Sequence, residues 1–265
     1  MRTLAITNQK GGVGKTTTAV NLAACFAAVG QRVLLIDLDP QGNATTGCGI
    51  ARHAVLPTVY ELLLGMNPFA QVKITTEFKF DLLPANRNLA GAEIELIQVE
   101  QREFRLRQAL AAVAQDYDVV LLDCPPALNL LTVNGLAAAD ALVIPMQCEY
   151  YALEGLSDLD KTWRKVRASL NPNLRIEGLV RTMVNAQSTL TQHVSQELER
   201  HFGALVYRTV IPRNVRVAEA PSYGKPVLAY DPNSKGALAY KALAQEMLSR
   251  WATSSNVAQE HKGQA

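Results

Sequence analysis

The chain is 265 residues long, 48% hydrophobic and 19% charged, the composition of an ordinary globular protein with material for an ample core. A net charge of +2 and a pI near 8.3 exclude a generally basic surface, so any nucleic-acid contact has to be a local patch. No apolar run is long enough to cross a bilayer, and the first strand signal begins almost at the N-terminus, which leaves no room for a signal or transit peptide.

In chain order, 4–6 reads as a strand, then come the string Lys10-Gly11-Gly12-Val13-Gly14-Lys15-Thr16-Thr17 and a helix over 19–29 closed by Gly30. The run 33–37 is a buried strand ending in Asp37, and 38–43 is a loop at the carboxyl edge of the sheet. A short helix is expected over 59–64 and a turn at 65–68, in a stretch from 51 to 80 that says little about function. Strand 80–84, helices 89–99 and 104–114, and strand 118–123 closed by Asp123 come next. Helix 128–138, strand 141–145, helix 153–170, strand 176–184 and helix 189–202 continue the alternation, and a last strand at 207–211 and a helix over 234–251 complete it. Strand and helix in turn mean an α/β fold, a mostly parallel twisted sheet with helices on both faces. No linker or repeat divides 1–252, so one domain is expected, with a polar, disordered tail over 253–265. Cys25, Cys48, Cys124 and Cys148 form no CxxC pair, which suits reduced thiols in a cytoplasm. His53, His193, His201 and His261 lack ligand spacing, so no structural metal is expected.

A glycine loop between strand and helix cradles phosphate because its residues turn successive N–H groups onto the oxygens at a helix N-terminus. In that setting Lys15 supplies charge to the terminal phosphates and Thr16 a hydroxyl ligand for magnesium. Gln9, Lys10, Gly11, Gly12, Val13, Gly14 and Thr17 complete the loop, with Gln9 standing where the usual pattern has glycine. Asp123 sits where a carboxylate would hold magnesium through water, although a strand-end aspartate also caps turns. Asp37 fits either the metal's surroundings or a structural role.

The string KGGVGKTT resembles the deviant Walker A loop of the ParA/MinD/nitrogenase-iron-protein class of P-loop ATPases. In that class the extra lysine, here Lys10, reaches the nucleotide of a partner subunit. DLDPQGNAT, DCPPALNLLTVNGL, VIPMQCEYYALEGL and VIPRNVRVAEAPSYGKPV resemble blocks of the ParA/Soj partition ATPases over 4–251. The resemblance implies ATP and magnesium, with Asp39 positioning or activating the attacking water beside the γ-phosphate. It also implies adenine contacts from Asn185, Pro212 and Asn214, and an ATP-dependent homodimer that binds double-stranded DNA without sequence preference. Hydrolysis would be slow until stimulated by a ParB-like centromere-binding protein, at a cytoplasmic, nucleoid-associated location. DNA contact is implied for Arg216, with Arg213 and Lys225 nearby in sequence. Gln187 departs from an arginine that relatives carry. Lys161, Arg164, Lys165 and Arg167 crowd one helix and either extend the basic patch or form a solvated face. Since the sequence starts at the first strand, the helix-turn-helix extension of some plasmid relatives is expected to be absent.

Three other classes fit less well. A MinD-like membrane-cycling ATPase needs a basic amphipathic C-terminal helix, and SSNVAQEHKGQA has no apolar stripe. An iron protein needs paired cysteines to hold a cluster between subunits, and none lies between Cys48 and Cys124. A small-molecule kinase needs an acceptor pocket and an arginine-rich lid, neither of which is evident.

Overall fold

The computed structural model describes the backbone of residues 1–150 and 152–262 and the side chains of 1–150 and 156–253. The first half runs β1 (Arg2–Ile6), α1 (Lys15–Ala28), β2 (Val33–Asp37), α2 (Asn43–Gly47), α3 (Val59–Leu64), α4 (Phe69–Val72), β3 (Ile74–Thr75), β4 (Asp81–Leu83), α5 (Leu89–Glu95) and α6 (Arg105–Ala111). The second half runs β5 (Val119–Asp123), α7 (Leu130–Ala138), β6 (Ala141–Gln147), α8 (Ala152–Ser169), β7 (Arg175–Thr182), α9 (Thr189–Phe202), α10 (Val215–Glu219), α11 (Val227–Tyr230) and α12 (Lys235–Lys262). The described strands form one sheet in the order β3-β4-β2-β5-β1-β6-β7, parallel throughout except for β3.

The strands read as unbroken apolar runs because both faces of the sheet are covered. Successive residues pack to opposite sides. Leu34, Ile36, Val120, Leu122, Leu142 and Ile144 join one core with α3 and α5 to α9. Val33, Leu35, Val119, Leu121 and Val143 join a second core with α1 and α12, where the Phe26 and Trp251 rings lie 5.4 Å apart. Full burial of each such aliphatic side chain contributes about 1.5–3 kcal/mol. The helix α1 ends as its glycine predicts: Gly30 takes a φ of +85°, and the Gly30 and Gln31 amides donate to the Ala27 and Phe26 carbonyls.

Register aligns the carboxyl ends of the central strands. Ile6 and Asp37 both pair with Asp123, which places the phosphate loop and two strand-end carboxylates along one edge. On α7, a Cβ at Gly135 would lie 3.0 Å from both Cys124 Sγ and Leu38 Cδ1. Only glycine lets this helix approach the two strand ends so closely.

Three expectations change. The stretch 207–211 forms no strand: isolated bridges from Val206 to Leu179 and from Pro212 to Val184, with the Tyr207 and Ile211 amides donating to the Leu179 and Arg181 carbonyls, are its contacts with the sheet among the described residues. Between them the Arg208 and Thr209 amides donate to the Glu246 carboxylate on α12, each at 2.9 Å, so those donors are unavailable to β7. The two-residue β3 was not expected; it is too short to show a period. Finally, α12 continues as far as Lys262, through the stretch from Thr253 for which disorder is expected, because alanine, glutamine and glutamate prolong a helix already anchored by packing. Residues 263–265 lie outside the described part.

Candidate functional site

The loop between β1 and α1 is shaped by Gly12 and Gly14, with φ of +74° and +87°, a region that side chains with a Cβ avoid. It is pinned from several sides. Asn8 Nδ2 donates to the Pro145 carbonyl at 2.9 Å, and its Oδ1 accepts the Lys10 amide at 2.9 Å. Thr182 Oγ1, at the end of β7, donates to the Val13 carbonyl at 2.8 Å. Gln9 Nε2 donates to Thr162 Oγ1 on α8 at 2.9 Å, so the residue that replaces the usual glycine ties the loop to a helix.

The two lysines of the motif differ sharply. Lys15 is only 7% exposed and its Nζ donates to the Lys10 carbonyl at 3.0 Å. Burial lowers its pKa, while the charges of Asp123 and Asp39 favour the ammonium form. Lys10 lies at the rim, its Nζ 2.8 Å from Glu149 Oε2, with both side chains well exposed. Such a pair contributes at most about 1 kcal/mol and parts readily.

Behind the loop, Asp37 is fully buried. Its Oδ2 accepts the Thr45 amide and hydroxyl, each at 2.8 Å, and its Oδ1 accepts the Asp39 amide at 3.2 Å. Burial, aided by the Asp39 charge, lifts its pKa to about 6 against the pull of those donors. Thr45 also accepts the Ala85 amide at 2.9 Å, joining α2 to the end of β4. Asp39 Oδ1 accepts the Gln41 amide at 2.9 Å, so the residue expected to position water also caps its own turn.

Asp123 differs from Asp37 in having no partner. Both carboxylate oxygens are buried and neither has a hydrogen-bond donor. Burial and then the neighbouring Asp37 charge raise its pKa well above the usual carboxylate range, opposed by Thr16 and Lys15, none of which reaches its oxygens in hydrogen-bonding geometry. A buried carboxylate left without donors costs several kcal/mol unless a cation offsets it. The donor set, Thr16 hydroxyl and Asp123 carboxylate with Asp37 beside it, is hard oxygen and fits magnesium.

The adenine candidates meet only in part. The bridge from Val184 to Pro212 brings Asn185 beside the Pro212–Arg213 turn, and Asn185 and Arg213 line one cavity of about 210 Å³ with Gln147, Glu149 and Met183. Asn214 Oδ1 caps α10 by accepting the Val217 amide at 3.2 Å. The basic candidates differ in their surroundings. Arg216 is held by Glu219 at 2.9 Å and Asp231 at 3.4 Å, whereas Arg213 and Lys225 are exposed with no ion pair among the described residues. On α8, Lys161 and Arg164 pair with Asp158 and Asp160, and Arg167 lies 4.8 Å over the Trp163 ring, which favours the solvated-face reading. Glu149, Thr45 and Thr182 were not singled out from the sequence. Their partners lie 139, 8 and 169 positions away, beyond the reach of local pattern.

Among known proteins, the AAA domain family matches residues 1–176. The chain is 55% identical over 245 residues to the sporulation initiation inhibitor protein Soj of Bacillus subtilis, covering 92% of this chain and 97% of that one. It is 53% identical to the chromosome partitioning protein ParA of Caulobacter vibrioides, covering 94% and 95%. Among solved structures, cobyrinic acid a,c-diamide synthase of Mycobacterium smegmatis with bound ADP and magnesium superposes with a TM-score of 0.85 at 37% identity, covering 96% of both chains. The cell division ATPase MinD of Pyrococcus furiosus, 23% identical with a TM-score of 0.76, shares the fold.

Proposed function

The chain belongs to the ParA/Soj family of chromosome-partitioning ATPases, and from that premise we propose that it is an ATP-operated switch that holds and releases DNA during partition. The observation that carries this reading is the contrast between the two motif lysines: Lys15 buried in the loop, Lys10 at the rim on a weak ion pair. Lys15 and the loop amides of 9–17 bind the phosphates of the chain's own ATP. Lys10 parts from Glu149 and reaches the triphosphate of a second copy, closing two subunits face to face. Thr16 and, through water, Asp123 hold magnesium, with Asp37 fixing the adjacent loop; the ion would neutralise charge on the phosphates. The buried, donor-free oxygens of Asp123 support that assignment, as do magnesium and ADP in the 37% identical structure. Asn185, Pro212 and Asn214 form the adenine side, with the Asn214 side chain shared with its helix cap.

The closed dimer binds DNA of any sequence through Arg213, Lys225 and Arg216, the last on release from Glu219 and Asp231. Asp39 orients the attacking water, and a ParB-like centromere-binding protein accelerates hydrolysis, reopening the dimer at the nucleoid. A MinD-like membrane cycle has less support: at 23% identity the similarity to MinD extends to the fold alone, whereas Soj and ParA are 55% and 53% identical to the chain. Retention on arbitrary duplex DNA and on lipid vesicles, with and without ATP, tests the two against each other. In that assay Asp39→Ala should bind ATP and stay on DNA while turnover falls about 100-fold or more. Undiminished turnover in this variant contradicts the role given to Asp39.

A further inference from the structure

A basic pocket opens beside the Asp39 loop, in the stretch whose sequence carries least information. Arg52, His53 and Leu56 face Asn86, Arg87 and Asn88 across a cavity of about 180 Å³, and no carboxylate lines it. Among the described residues, neither Arg52 nor Arg87 takes part in an ion pair. That sets the pocket apart from Arg216, Lys161 and Arg164, whose charges are already matched by acidic neighbours. A cation with a fixed carboxylate partner gains little from a phosphate, because it must give up one anion for another; unmatched guanidinium groups have no such exchange to make.

The pocket does not stand alone. Gly49, shortly before Arg52, meets Gly224, just before Lys225, backbone on backbone: a Cβ at Gly224 would lie 2.7 Å from Gly49 Cα. Both glycines have positive φ, +80° and +64°, so the two turns are moulded to each other. Lys225 and Arg52 thus flank one junction, where Glu77 Oε1 would lie 3.9 Å from a Cβ at Gly49. Basic groups spread over two touching turns suit a polyanion with regularly repeated charge better than a single acidic side chain.

The pocket is also tied to the nucleotide loop. The Arg52 guanidinium donates to the Gln41 carbonyl, and its aliphatic carbons pack on Gly42, where a Cβ would come within 3.2 Å of Arg52 Cδ. Gln41 is in turn held by the Asp39 carboxylate. A shift of the Asp39 loop on binding or hydrolysing nucleotide moves Arg52 with it.

We infer that the pocket formed by 52–56 and 86–88 is a second contact for the sugar-phosphate backbone of duplex DNA, neighbouring the Lys225 turn and set by the state of the Asp39 loop. The inference rests on the DNA-switch reading above. Its test uses the full chain with ATP and two duplexes of unrelated sequence over a salt series, comparing the unaltered protein with His53→Gln, Arg87→Gln and the double variant. Neither side chain contacts the Asp39 loop or the nucleotide site, so ATP turnover and ATP-dependent mass should not change. DNA affinity should fall several-fold for both duplexes alike in Arg87→Gln and in the double variant, and the log-log salt slope should become shallower there by about one unit, for the one phosphate left without its guanidinium. Unchanged affinity and slope in the double variant, with the unaltered chain binding normally, overturns this inference alone; so does a loss that follows failed dimerisation. No ATP-dependent DNA binding by the unaltered chain overturns the underlying reading and this inference with it.

Discussion

Lys15→Ala is expected to remove measurable ATP binding while leaving the fold intact. The lysine is buried at the head of α1, and its ammonium is the cation nearest to hand for phosphates cradled by the loop. Loss of one hydrogen bond from a charged donor costs about 1.5–3 kcal/mol, roughly 10- to 150-fold in affinity. The true loss should be larger, because Lys15 also offsets Asp123 and Asp39, whose charges would then repel the triphosphate with nothing between. Titration with a fluorescent ATP analogue reads the effect, and a thermal melt checks folding. A folded variant that binds within a few-fold of the unaltered protein would refute the phosphate role.

Asp123→Asn should have two opposite effects, which makes it more telling than a simple loss. Without nucleotide, the native chain buries a carboxylate that no donor satisfies, beside the second buried carboxylate Asp37. Removing that charge should raise the melting temperature of the ligand-free protein at neutral pH, by about 2–4 °C for each kcal/mol relieved in a chain of this size. The sign of the pH dependence follows from linkage. Asp123 and Asp37 keep their protons in the native state to higher pH than in the unfolded chain, where carboxylates ionise near 3.8. In that window the native state binds more protons, so this pair makes stability fall as pH rises from about 4 through 6. The gap between variant and unaltered protein should therefore be small near pH 4 and widen toward neutrality. With magnesium and ATP the order reverses: the unaltered protein gains stability by ligand binding, and the variant loses the magnesium-dependent part of that gain. An Asp123→Asn protein less stable than the original in the absence of ligand, at every pH, would mean that the carboxylate is a structural cap after all.

What could be read from the sequence followed from how local the determinants are. The loop from Gln9 to Thr17, the helix closed by Gly30 and the strand-end carboxylates Asp37 and Asp123 are all set by neighbours within a few residues, and each stands where periodicity and turn chemistry place it. The stretch 207–211 has strand-like composition, but its Arg208 and Thr209 amides are taken by Glu246 on a helix nearly forty positions later. Likewise the Arg216 charge reads as available until Asp231 and Glu219 fold back on it. Lys10 could be singled out from its motif, whereas its counter-ion Glu149 comes from a loop after β6 that only the fold brings near. Arg52 and Arg87 lie in segments of no evident period, and their common pocket exists because α2 and the end of β4 are joined through Thr45.

The claim on which the rest depends is that Lys10 acts on a neighbouring copy and not on its own nucleotide. Light scattering of the purified chain with magnesium and a slowly hydrolysed ATP analogue tests it directly. The mass should rise from 28.9 kDa to twice that value on adding nucleotide, and Lys10→Ala should bind the analogue yet remain at the monomer mass. A chain that stays monomeric with nucleotide bound, or a Lys10→Ala variant that dimerises as readily as the original, would contradict the account.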